Sequence, residues 1–158
     1  MTTTPPQRSD PSHPLPIATR TMWLCEAVSL GAVVAGGALI AAASADGLLR
    51  AATVLVALVA IAWGIAFALV RFSRWRWELH DEELDLRHGA WSVVRTIVPI
   101  TRIQHVSVER TGWTDLFGLV RLHAHTAAGK TTIPGLERSA ADDLRDGILA
   151  RLRTPDDL

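Results

Sequence analysis

The sequence holds one cysteine, one lysine and no excess of either charge. With Cys25 alone, no intramolecular disulfide forms, which suits a reducing cytoplasm, and its place in an apolar run argues against a reactive thiol. Lys and Arg together number 16 against 16 Asp and Glu, so no basic field points to nucleic acid. Lys130 is the only lysine, and the arginine bias fits a GC-rich genome more readily than a function. Catalytic spacing is missing too. No Ser, His and Asp set has the spacing of a nucleophile elbow, and Asp142-Asp143 and Asp156-Asp157 sit at a helix start and in a tail. Gly129-Lys130-Thr131 superficially resembles a phosphate loop, but Ala124 stands where the first glycine is needed. The chain reads as non-enzymatic, with no cofactor.

Apolar helix is what the sequence has in abundance. Met22 to Phe72 holds two apolar runs, spanning about 22–45 and 48–72, joined by Asp46-Gly47. Ala51 to Val70 is uncharged, and about 20 helical residues at 1.5 Å each cross the roughly 30 Å hydrocarbon core of a bilayer. A helix buried in a soluble core rarely stays apolar on every face for so long. The first run carries Glu26 near its start, yet from Ala27 to Ala45 it is still long enough to span. A cleaved signal peptide is the rival for this run; a Pro-rich tail in place of a charged n-region, and a second span immediately after, count against it. Small residues recur at helical spacing (Gly31 with Ala35, Ala32 with Gly36, Gly37 with Ala41), which admits a close neighbouring helix, and the short link makes the second span that neighbour.

Arg20 before the hairpin and Arg71, Arg74 and Arg76 after it outweigh Asp46 and Arg50 at the turn. The positive-inside rule then gives a multi-pass plasma-membrane protein with both termini in the cytoplasm. Trp23, Trp75 and Trp77 suit an aromatic belt on that face. Trp23, Arg71, Arg74, Trp75 and Arg76 are therefore the expected membrane-interface residues; the arginines either set topology alone or also grip anionic headgroups.

Around the hairpin, residues 1–20 are Pro-rich and read as a disordered tail. The hairpin itself occupies 21–73. After it the period changes to two: six strands are expected, beginning at Trp75, Leu84, Trp91, Ile103, Leu119 and Lys130, with Pro134 marking an edge or strand end. From Ser139, a plausible N-cap, the period returns to helical, and Ala141, Leu144, Ile148 and Leu152 form an apolar stripe. A domain over 74–153 follows, closed by that helix, with a frayed end at 154–158. The class is α+β: a two-helix transmembrane hairpin, then a β-sandwich or open barrel with a C-terminal capping helix.

The order of two spans, then Trp-x-Leu-x-x-Glu-x-Leu from Trp77 to Leu84, His88-Gly89, Val98-Pro99, Arg102-Ile103-Gln104-His105-Val106 and Phe117-Gly118-Leu119, resembles the YdbS-like bacterial pleckstrin-homology (PH) family over about 22–152. The resemblance implies a PH-like fold of two sheets and seven strands, one more than the pattern yields. It also implies a membrane protein without known enzymatic activity, often paired with a larger relative bearing several such domains; assembly with copies of itself is the other expectation.

The remaining candidates are weighed residue by residue. The turn His80-Asp81-Glu82-Glu83 is acidic where phosphoinositide-binding PH domains place cations, which disfavours inositol lipids there. His123 and His125 share a strand face, but nothing in the spacing gathers His80, His88 or His105 beside them, so no metal site is expected. Arg102, Gln104 and His105 follow a strand break and either build the turn after Pro99 or meet a partner. Function divides between a membrane-anchored module that docks proteins and a carrier or sensor that takes a lipid into a pocket lined by Trp75, Trp77, Trp91 and Trp113.

Overall fold

The computed structural model describes residues 10–44 and 46–153. The first nine residues of the tail and the expected frayed end lie outside them. Strand β1 (His13–Pro14) leads directly into helix α1 (Ile17–Ala41). A short 3-10 turn, Ala42–Ser44, precedes helix α2 (Gly47–Arg74). Both helices are long and apolar enough to cross a membrane. They pack closely at Gly31, where a Cβ would lie 2.7 Å from Ile61 Cγ1, and at Gly64, where it would meet the Ala27 side chain at 3.7 Å. Gly36 and Gly37 face open space. Of the small-residue pairs in α1, only the one containing Gly31 has a glycine in close contact with α2.

Beyond α2 come β2 (Arg76–Leu79), β3 (Glu83–His88), β4 (Val94–Pro99), a 3-10 turn at Ile100–Arg102 and β5 (Ile103–Glu109). The one-turn helix α3 (Gly112–Asp115), β6 (Leu119–Thr126), β7 (Gly129–Glu137) and helix α4 (Arg138–Arg153) complete the chain. Two antiparallel sheets result, ordered β1-β2-β3-β4 and β5-β6-β7. Leu84, Leu86 and Val98 from the first and Leu119, Leu122, Ala124 and Ile133 from the second share one core. Ala141, Leu144 and Ile148 of α4 seal it, the predicted stripe, while Leu152 stays more exposed. Thr111 caps α3 reciprocally with Thr114, satisfying two backbone donors at the β5–β6 connection. The α+β expectation holds.

Four boundaries differ, the first being the third expected strand, which begins at Val94 and not at Trp91 because the positive φ of Gly89 turns Trp91 into a loop. The tail expected to be disordered to residue 20 is built into the domain from Asp10 onward. His13 pairs with Trp77 in register and stacks on its ring at 5.0 Å. Leu15 is buried in the core, the Ser12 N–H donates to Glu78 Oε2 at 2.9 Å, and Asp10 pairs with Arg87 and Arg95. This is the seventh strand, supplied from before the hairpin. The segment has too little apolar surface to order itself, but the edge of β2 offers it a template. Helix α1 begins at Ile17, after Pro16, and its first turns bury Thr19, Met22 and Trp23.

The β7 strand also runs past Pro134 instead of ending there. Its register with β6 shifts between Val120 and Leu122. Gly135 takes φ +69° at this bulge, a conformation that favours glycine. A Cβ on Gly135 would sit 2.6 Å from Thr19 Oγ1, and the Thr19 hydroxyl donates to the Gly135 carbonyl. The bulge thereby seats α1 on the second sheet. Finally, α4 follows β7 without a gap, so Ser139 lies within the helix and is not its N-cap.

Candidate functional site

Where the hairpin meets the domain, the five expected interface residues separate into two groups. Trp23 and Trp75 do not face a headgroup layer. They are 5% and 4% exposed and belong to the same core as Leu86 and Ile103. Apolar residues at a helix end look alike in sequence whether protein or lipid covers them, and here protein does. Arg71 lies over the Trp23 ring, its Cζ 4.1 Å from the centroid, a cation–π contact. Arg76 Nη1 donates to the Trp75 carbonyl at 2.7 Å. His88 stacks on Trp75 at 5.7 Å; burial, and then the Arg71 charge, hold its imidazole below the usual histidine pKa. These contacts brace the junction from inside.

Arg74 points elsewhere. Its Nη1 donates at 2.7 Å to the carbonyl of Ala90 in the β3–β4 loop. Beside that contact Trp91 and Trp63 pack ring to ring at 5.4 Å, yet they are 75% and 59% exposed. Trp63, Ala66, Phe67, Val70, Arg74, Ala90 and Trp91 enclose a slot of about 320 Å³. Gly89 fixes the loop: its φ is +124°, and a Cβ there would collide with the Ser92 carbonyl oxygen. The sequence reading passed over Trp63. A lone tryptophan in a long apolar run, ahead of a cluster of arginines, is the signal that marks it.

Arg102, Gln104 and His105 do not form one site. Arg102 and Gln104 line an open groove of about 680 Å³ with Thr96–Pro99 of β4 and the β6–β7 turn. The register of β5 slips between Ile103 and His105, a bulge that sets Gln104 apart from the ladder. His105 instead approaches His125, ring centroids 5.4 Å apart. Both ring nitrogens of His123 are engaged, with Glu109 Oε2 and Thr132 Oγ1, each at 2.8 Å. Among the described residues, no group of three His, Cys, Asp or Glu side chains is placed to hold a metal.

The four tryptophans proposed to line an interior pocket do not converge. Trp75 fills the core, Trp77 stacks on His13, Trp91 faces outward, and Trp113 meets Phe117 edge-on at 5.5 Å. At the acidic turn the His80 N–H donates to the Glu83 carbonyl, and Asp81 pairs with Arg151 of α4 at 3.3 Å.

The model of the family described as "Bacterial PH domain" matches residues 26–152, which takes in most of the hairpin and strands β2 to β7. The chain belongs to the bacterial PH domain family. It is similar to the UPF0699 transmembrane protein YdbS of Bacillus subtilis (strain 168), with 40% identity over 88 residues. That match covers 56% of this chain and 55% of the relative, so the chain spans about half the length of the curated protein it resembles. No solved structure matches. In this bacterial PH domain the first strand precedes the helical hairpin and the other six follow it.

Proposed function

We propose that this bacterial PH domain is a membrane-anchored, non-enzymatic interaction module at the cytoplasmic face of the plasma membrane, on a hairpin that crosses the bilayer twice. One observation carries the reading: hairpin and domain share a single core. Met22, Trp23 and Ala68 of the helices cluster with Leu15, Trp75 and Ile100, so packing sets the domain's attitude to the helices where a flexible linker would leave it free. A domain held in this way presents one constant surface to a partner.

Arginines near the domain end of the hairpin favour that end being inside, since the far end offers only Asp46 and Arg50. The partner is a protein, a second copy or a larger PH-domain relative. Its seat is the groove of Arg102 and Gln104, because β4 and β5 are both sheet edges and free edges accept an extended segment. Zero net charge gives nucleic acid no purchase, and the carboxylates of the 80–83 turn repel an inositol phosphate.

Orientation is tested with Asp46→Cys in a Cys25→Ala background. An impermeant maleimide labels it in intact cells, whereas a cysteine at the exposed Ser139 reacts only after permeabilisation; the reverse pattern overturns the orientation. Docking is tested with a photo-crosslinking residue at Gln104 in native membranes. Protein adducts are expected, and a chain that stays monomeric and unlinked there refutes the docking role.

A further inference from the structure

The slot between α2 and the β3–β4 loop combines apolar walls with one guanidinium. We propose that it holds one anionic phospholipid, with the phosphate on Arg74 and the first methylenes of an acyl chain against Trp63, Phe67 and Val70. This rests on the reading that the hairpin lies in a membrane.

Depth comes first. Gly64 packs at the level of Ala27, 3.7 Å from a Cβ placed on it. Ala27 is the first residue past the charged Glu26, and above Glu26 one face of α1, at Thr19, Met22 and Trp23, is buried in protein. Trp63, next to Gly64, therefore stands at the boundary between hydrocarbon and headgroups, where indole rings prefer to sit. Trp91 touches it from the domain side, so the β3–β4 loop reaches down to the same boundary. The apolar exposure continues through Val93, Val94 and Ile97, which favours a face against lipid over one in water.

Charge selects the occupant. Arg74 is the one charged residue lining the slot. Helical side chains lean toward the helix N-terminus, which here is toward the membrane. Arg74 uses one nitrogen on the Ala90 carbonyl and has no carboxylate partner among the described residues. Its remaining donors suit a phosphate, which accepts two parallel N–H bonds from a guanidinium. A volume of about 320 Å³ is at the lower end of the roughly 300–1,000 Å³ of ligand pockets. It admits a headgroup and the top of one chain, leaving the rest of the lipid in the bilayer.

The test uses the full chain reconstituted in phosphatidylcholine vesicles with a minor fraction of phosphatidylglycerol, one or the other lipid brominated near the acyl carbonyl. Emission lost on Trp91→Phe isolates Trp91. Brominated phosphatidylglycerol should quench that emission about fivefold more strongly per mole than brominated phosphatidylcholine, the preference expected of one arginine near an anionic leaflet. Arg74→Gln should bring the two lipids to parity, and Arg74→Lys should keep most of the preference. Equal quenching in the wild type overturns the site, as does an unchanged preference in Arg74→Gln. Trp91 unquenched by either lipid also overturns it, because something other than lipid then covers the loop. Flotation of the same vesicles separates the two claims: a protein that fails to float removes the membrane reading itself, and one that floats without lipid preference removes only the site. Because the wild-type comparison needs no substitution at Arg74, a misfolded variant leaves the test intact.

Discussion

The two ends of the helical hairpin are built from similar residues and behave as different materials. At the near end, Met22 and Trp23 are buried among strands, Thr19 bonds to the bulge at Gly135, Arg71 covers Trp23 and Arg74 holds the β3–β4 loop. At the far end, Leu39 is 52% exposed and Ile40 78%, Gly36 and Gly37 face open space, and among the described residues a side-chain bond from Arg50 to the Ala43 carbonyl ties the turn. Apolar composition sets neither outcome. What decides is whether a partner surface stands opposite, and only the near end has strands within reach.

The widest contrast should appear on truncating an apolar side chain at each end. Trp23→Ala removes a buried ring and leaves a cavity, so a loss of about 3–5 kcal/mol is expected. Ile40→Ala should fall within about 0.5 kcal/mol, since most of that side chain meets no protein. Unfolding both variants in one detergent checks the pair, and equal losses would erase the distinction between the ends.

Glycine substitution gives a middle-sized contrast within one helix. Gly31→Leu drives a side chain into Ile61 and should cost about 1–3 kcal/mol, while Gly36→Leu enters open space and should change stability by no more than about 0.5 kcal/mol. Crosslinking between cysteines placed in α1 and α2 reports whether the helices have parted.

The smallest effect is a pH dependence confined to the near end. His88, its pKa lowered by burial and then by Arg71, binds its proton more weakly folded than unfolded. Its stabilising contribution is complete above the unfolded value of about 6.5 and is lost as pH falls below it toward the folded value. His88 is only partly buried, so solvent screening keeps the loss small. Thermal melts between neutral pH and mildly acidic pH should show a drop in the wild type that His88→Gln lacks.

The same contrast explains how much the sequence revealed. Strands β2 to β7 and α4 were readable because each is long enough to display its period: Leu84 and Leu86 alternate, and Ala141, Leu144 and Ile148 recur at helical spacing. Strand β1 was not readable. Two residues have no period, the prolines around them suggest a loop, and the strand they join lies beyond the hairpin. Trp23 and Trp75 were misplaced because hydrophobicity records the wish to leave water and not the destination. Trp63 and Trp91 escaped notice as a pair because nothing in the chain order brings a helix residue and a strand loop together. Arg74 was identified as an interface cation, but its tie to Ala90 could not be foreseen.

The split of the first sheet around the hairpin has a consequence for how the protein is made. The ribosome delivers His13 before either long helix and Trp77 after both, so their pairing closes only once the whole hairpin has been made. On the two-span topology proposed above, a polypeptide arrested with one helix inserted would leave those partners on opposite sides of the bilayer and the sheet short of a strand. On that topology the β2 edge would stay unpaired until both helices had crossed.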